Sequence, residues 1–556
     1  RELTGWQAPG YDDSGWIPAA VIGPPGCEPW TSLAPSTIPF LTEDAMPPVE
    51  VKAVELARLR QGQIWNLDVR DLANTMRTGL RSAPYGERGW LIATEIHAPQ
   101  PCTLKVHLFP NYEPIEFRID DYVHERTDVV DGEYGPFEVA LHAGANYCVL
   151  RNPEWPSLLF ECDQPLTFSA ERVLNGAAWV FVGPMNEFSP EFAAAFAVTN
   201  LDDLPASARR VAIPASANQT DIFALTASQH FYAVDGGFCT YEITRATPRP
   251  ALGGKRQLIA APDALLADTA DWTTFYPQPD GDVHLVLDFG KETIGYFEFD
   301  LDAPAGTILD GSGFEGIDDG GIFWTMNTRN SFRYVCREGR QVFRSHERRG
   351  FRYLSLTLRD FARPVRIRHI SNYRATYPVA QVGHFACSDE TLTKIWEVGA
   401  YTVRLCMLDT YVDCPTYEQV YWVGDARNSA LVNAVAFGAY DLTDRCVRLT
   451  GQSLSPELKR VKPPYLEELR THLPTSHVVS GWFDEIPMWN FLWVWQAWEA
   501  YMAAGDRAAL ADYYVDVRES LVRAEGFLSA RDLFDIPEVW NLVDWAAQDL
   551  ERDGEV

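Results

Sequence analysis

The feature that most limits what this chain can fold into is a change of hydrophobic period at Ser388. Before it, short runs alternate apolar and polar residues, as in Thr103-Leu104-Lys105-Val106-His107-Leu108-Phe109 and Phe137-Glu138-Val139-Ala140-Leu141. Period-two runs bounded by Gly, Pro, Asn and Asp clusters predict antiparallel strands in a sandwich or jelly roll. After it, Ser388-Asp389-Glu390-Thr391 offers a cap and an acidic first turn, and Leu392, Ile395, Trp396 and Gly399 recur at helical spacing. The chain is therefore expected to be β-rich first and helical last.

At 556 residues the chain is long enough for three or four domains, each burying its own core. We expect four stretches. Residues 1–50 read as the end of an N-terminal β-domain and a linker, because Gly5 to Trp16 and the Pro-rich run through Pro48 set turn formers among aromatics. Residues 51–235 read as a β-sandwich. Residues 236–382 read as a second one, with Val283 to Gly290 and Gly350 to Leu356 as strand-and-turn units. Residues 383–556 are helical, with helices predicted over 426–438, 442–453, 487–504, 507–529 and from Pro537, joined by loops as in stacked hairpins.

A formal charge of −30, from 47 basic and 77 acidic residues, repels phosphate backbones and anionic lipid. Nucleic acid and membrane surfaces are thus poor partners. The ten cysteines are scattered without a CxxC pair or zinc-ligand spacing, so buried free thiols are expected, with no metal and no cofactor. No apolar run reaches the ~20 residues of a membrane span and no signal peptide is visible, which predicts a cytoplasmic protein. Asp288-Phe289-Gly290 does not indicate a kinase, since no phosphate loop accompanies it.

Site chemistry concentrates between the first two predicted helices. Asp413-Cys414-Pro415-Thr416-Tyr417-Glu418-Gln419-Val420-Tyr421-Trp422-Val423-Gly424-Asp425 holds three carboxylates among aromatics. Pro415 prevents the preceding helix from continuing, which leaves the carboxylates on an irregular segment between rigid ends. Read singly, Asp425 is a helix cap and Asp413 and Glu418 are solvated loop charges; read together with Trp422 and Tyr417 they form a site.

The same stretch resembles the signature of the bacterial α-L-rhamnosidases of glycoside hydrolase family 78. Leu287-Asp288-Phe289-Gly290 with Gly295, Gly350-Phe351-Arg352-Tyr353 and Gly383-His384-Phe385-Ala386-Cys387-Ser388-Asp389 add to the likeness. The resemblance implies β-sandwich domains followed by an (α/α)6 six-hairpin barrel, and inverting hydrolysis of a terminal α-L-rhamnose from a rhamnose-containing glycoside. It makes Glu418 the general acid. It makes Asp413 and Asp425 sugar ligands whose charge helps keep Glu418 protonated. Trp422, Tyr417, Trp482, Asp484, Trp489 and Trp545 are the expected remaining contacts, some of them an apolar wall for the sugar's methyl group.

In the family the water-activating Glu lies far downstream of the acid. From Asp413 to Val556 there is room for about five helices, where such a barrel needs ~12. The expectation is therefore a gene fragment lacking part of both ends, with its general base beyond Val556, inactive alone, and with a large apolar surface exposed. The alternatives are a carbohydrate-binding or scaffold protein without catalysis, and a polysaccharide lyase. The last is disfavoured because no histidines cluster near Tyr417 or Tyr421. Aglycone and oligomeric state are left open.

Overall fold

The computed structural model describes residues 8–16, 21, 23–27, 34–59, 63–68, 89–108, 116–125, 137–151, 157–185, 189–205, 210–213, 218–219, 241–244, 257–266, 270–279, 281–318, 321–323, 330–416, 418–454, 474, 477–478 and 486–534. Two antiparallel sheets form the first sandwich. One is five-stranded, ordered 218–219, 63–68, 157–162, 102–108 and 137–141. The other carries 210–213, 179–185, 89–98, 144–151, 116–119 and 122–125, with 167–169 at its side. Alternation drives the layering: Leu104, Val106, Val139 and Phe160 of one sheet meet Ile92, Ile96, Phe117, Leu150 and Trp179 of the other. The opposite face of the larger sheet, with Leu91, Ala93, Val149 and Val180, is covered by Phe192 and Ala195 of a short helix, α1 (Pro190–Ala197).

The second β-unit is one ten-stranded antiparallel sheet built around two long strands, Asp282–Ala303 and Gly339–Arg359, which pair along most of their length. Here the chain departs from the linear division expected of it. Thr42–Met46 pairs with Val365–Thr376, and Glu50–Leu59 pairs with Asp282–Ala303, so residues that read as a linker and as the start of the first sandwich are strands of this second sheet. Pro47 and Pro48 occupy the corner between them, where no ladder donor is needed. Val49 closes the corner by donating its N–H to the Asp288 carbonyl at 2.7 Å.

Among the described residues five further helices follow: α2 (Glu390–Cys406), α3 (Val423–Ala436), α4 (Tyr440–Gln452), α5 (Pro487–Ala504) and α6 (Arg507–Glu525). Asp389 caps α2, its Oδ1 accepting from the N–H groups of Thr391 at 2.8 Å and Leu392 at 3.4 Å. Adjacent helices pack around Tyr411, Tyr421, Val423, Leu442, Val447, Trp489 and Trp493. The helices are apolar on their outer sides too. Leu392, Ile395 and Val398 of α2, Leu431 and Val435 of α3, Trp495, Trp498 and Met502 of α5, and Val515 and Val522 of α6 are all exposed. Among the described residues no helix is long and apolar enough to cross a membrane. The predicted helix from Pro537 lies outside them.

Candidate active site

The segment joining α2 to α3 is pinned at both ends by buried tyrosines. Before it, Tyr411 shares a 2.8 Å hydrogen bond with Thr443 of α4, and Asn433 of α3 donates to the same phenol at 2.8 Å. After it, Tyr421 donates to the Cys446 carbonyl at 3.0 Å. Tyr421 and Trp422 also form a two-residue strand paired with His477–Val478. A loop fixed in this way can hold carboxylates in place without being regular itself.

Within it, the backbone turns back on itself. Asp413 N–H donates to the Val420 carbonyl at 3.1 Å, Cys414 N–H to the Glu418 carbonyl at 3.4 Å, and Glu418 N–H to the Cys414 sulfur at 3.1 Å. Gln419 braces the turn by donating to the carbonyls of Pro415 and Thr416. The outer side rests on the ten-stranded sheet: a Cβ on Gly350 would stand 2.9 Å from the Pro415 oxygen. Only glycine leaves room for that approach. Gly424 does the same at the start of α3, where a Cβ would stand 2.5 Å from the Trp489 ring.

These constraints bring Glu418, Asp413, Trp422 and Asp425 together. Burial pushes the Glu418 carboxyl up to about 7; a hydrogen bond to Asp413, the Asp413 charge and the Asp425 charge push the same way, while a hydrogen bond from Trp422 opposes them. Glu418 is half-buried, so water and a ligand can still reach it. The result is a carboxylic acid poised to hold a proton at neutral pH and to release it.

Asp425 does not cap the helix. Trp422 occupies the cap position without a side-chain cap bond, and Asp425 stands in the first turn of α3, facing the acid's electrostatic neighbourhood. Trp422 is 9% exposed, and its indole acts on Glu418 as a donor besides presenting a ring. Trp489 is 6% exposed and packs beneath Gly424 in the helical core. Tyr417, Trp482, Asp484 and Trp545 lie outside the described residues. Sequence reasoning missed Gly350 and Cys414 as supports; the family-like Gly350-Phe351-Arg352 run was the available signal for the first. Among the described residues no group of three His, Cys, Asp or Glu side chains is arranged to hold a metal.

Comparison with known proteins gives a consistent picture. Residues 380–556 match the bacterial alpha-L-rhamnosidase six-hairpin glycosidase domain, and residues 279–371 match the bacterial alpha-L-rhamnosidase concanavalin-like domain. A family 78 rhamnosidase of Bacillus sp. GL1 superposes with a TM-score of 0.74 at 29% identity, over 97% of this chain and 55% of that one. An alpha-L-rhamnosidase of Formosa agariphila is 20% identical over 244 residues, 42% of this chain and 25% of that protein. This chain thus spans about half the length of the solved relative and a quarter of the curated one.

Proposed function

We propose that this chain, which belongs to the bacterial α-L-rhamnosidases of glycoside hydrolase family 78, carries the acid half of a site that hydrolyses terminal α-L-rhamnosides with inversion. The observation that carries the proposal is the state of Glu418, a half-buried carboxyl held near pH 7 by burial and two neighbouring aspartates. In the reaction its proton passes to the glycosidic oxygen as the bond from that oxygen to the anomeric carbon breaks, the electron pair leaving with the oxygen. A water molecule attacks the anomeric carbon from the opposite face and gives its proton to a second carboxylate.

Inversion sets that second carboxylate ~6.5–9.5 Å from the acid. Asp413 hydrogen-bonds to Glu418 directly, which leaves no room for a water between them, so Asp413 is read as the acid's partner and not as the base. We place the base in the length of the relatives that this chain does not span, and expect this chain alone not to turn over. The same reading makes α2 to α6 part of an (α/α)6 barrel; the exposed rings of Trp495 and Trp498 suit coverage by further helices. Asp413 and Asp425 also accept sugar hydroxyls here, with Tyr417, Trp482, Asp484 and Trp545 as further contacts, while Trp489 holds the start of α3 from below.

The test is hydrolysis of a chromogenic α-L-rhamnoside by this chain and by a version extended to the length of the Bacillus relative. Turnover of α-L-rhamnosides by the extended form alone fits the proposal. Cleavage of another glycoside, with none of any rhamnoside, contradicts it.

A further inference from the structure

Two cysteine sulfurs hold the backbone on which the paired carboxylates are mounted. Cys406 ends α2 and is buried. Its thiol donates to the Asp413 carbonyl at 3.5 Å; burial above all, with Cys414 and Asp413 nearby, pushes it up to about 12, so it stays protonated and a donor. Cys414 opens the turn that carries Glu418. Its sulfur accepts the Glu418 N–H at 3.1 Å, and its own N–H donates to the Glu418 carbonyl at 3.4 Å. The two residues are thus bonded reciprocally across the turn.

A helical turn would satisfy the Glu418 N–H with the backbone carbonyl of Cys414. Here the side chain of that residue supplies the acceptor instead. The carbonyls of Pro415 and Thr416 accept from the Gln419 amide at 2.9 and 3.2 Å, and Gly350 closes on Pro415 from the sheet side, so the turn is held on its other edges. A part-buried N–H that loses its acceptor costs free energy, which gives the sulfur its hold on the Glu418 backbone. The Glu418 carboxyl in turn hydrogen-bonds to Asp413, the residue adjoining Cys414. Backbone displacement of Glu418 from Cys414 therefore draws the carboxyl away from Asp413 and toward the water that its half-buried position already meets.

We propose that Cys414 is a positioning residue, whose sulfur anchors the Glu418 backbone and thereby holds the carboxyl of the acid against Asp413. The acid role rests on the rhamnosidase reading; the sulfur anchor does not. Amide hydrogen exchange and a carboxyl NMR titration of the whole chain test it, on wild type, Cys414→Ala and Cys414→Ser. The Glu418 N–H should exchange slowly in wild type and about tenfold faster in Cys414→Ala. The same variant should lower the Glu418 midpoint by about one unit, as the carboxyl leaves Asp413 and gains water. Cys414→Ser keeps an acceptor and should restore both. In the version extended to the length of the Bacillus relative, Cys414→Ala should cut kcat about tenfold on poor leaving groups at unchanged KM. Slow exchange that Cys414→Ala relieves, beside a wild-type midpoint of about 4.3, upholds the anchor and removes Glu418 as the acid. Glu418 N–H exchange in wild type as fast as in an unstructured chain overturns the proposal without any variant having to fold. A midpoint near 7 unmoved by Cys414→Ala, or equal effects of Cys414→Ala and Cys414→Ser, overturns it as well.

Discussion

Glu418 and Glu292 are both carboxylic acids whose pKa is driven up first by burial, to about 7 and about 9. Their surroundings differ. Glu418 lies on a loop, with Asp413 and Trp422 hydrogen-bonded to its carboxyl and Asp425 nearby. Glu292 lies in the Asp282–Ala303 strand, next to a register shift, and one of its oxygens is buried without a partner. Glu315 raises its pKa further, and Arg352, the cation that opposes this, is committed to Asp288 through its Nε and Nη2, each at 3.1 Å. At Glu292, burial and the Glu315 charge together overshoot and make a neutral group. At Glu418, which stays half-buried and takes a hydrogen bond from Trp422 against the push of its two aspartates, the proton can be exchanged near neutrality, which is what general acid catalysis needs.

The comparison breaks most visibly at Glu418. In the form of the protein that turns over, Glu418→Gln should cost about 10³-fold on rhamnosides with poor leaving groups and far less on activated aryl rhamnosides, which need no protonation. Equal losses on both, measured as kcat/KM, would remove Glu418 from the role of acid. Glu292→Gln should leave both substrates unaffected and act on stability instead. Because its folded pKa is raised from 4.5 to about 9, folding takes up a proton in that window, and stability falls as pH rises through it. The amide removes this dependence, so chemical denaturation should show the variant gaining up to about 4 kcal/mol on wild type between pH 5 and pH 8.5. A variant that tracks wild type at both pH values would show that Glu292 is not held neutral.

Two smaller effects sharpen the contrast. Gly350→Ala pushes the sheet into Pro415 and should destabilise by about 1–3 kcal/mol, with a fall in kcat beyond what unfolding explains. Melting and rate measured together separate the two. Asp413→Asn removes the neighbouring charge that raises Glu418, so the alkaline limb of the pH–rate profile should move down by about one unit. Asp425→Asn should do the same to a lesser degree, since Asp425 acts on Glu418 through charge and not through a hydrogen bond.

Much of this contrast was legible in the chain. Period alone separated the sheets from the helices at Ser388, and Pro415 placed the carboxylates on a loop. Local pattern also located α5, where Pro487 starts the helix and Gly505 ends it in the left-handed region. What escaped was long-range. That Glu50–Leu59 would join Asp282–Ala303 follows from no local feature, because pairing partners far apart in sequence share only a generic alternation. Nor could spacing show that Trp422 donates to Glu418 or that Gly350 abuts Pro415. Glu292 was invisible for the opposite reason, since one Glu in an alternating strand reads as a solvent-facing residue.

The most direct measurement is a carbon-detected NMR titration of the Glu418 carboxyl in this chain, which needs no turnover. The account predicts a midpoint near 7 that falls in Asp413→Asn. A midpoint in the ordinary glutamate range of about 4.3 would contradict it.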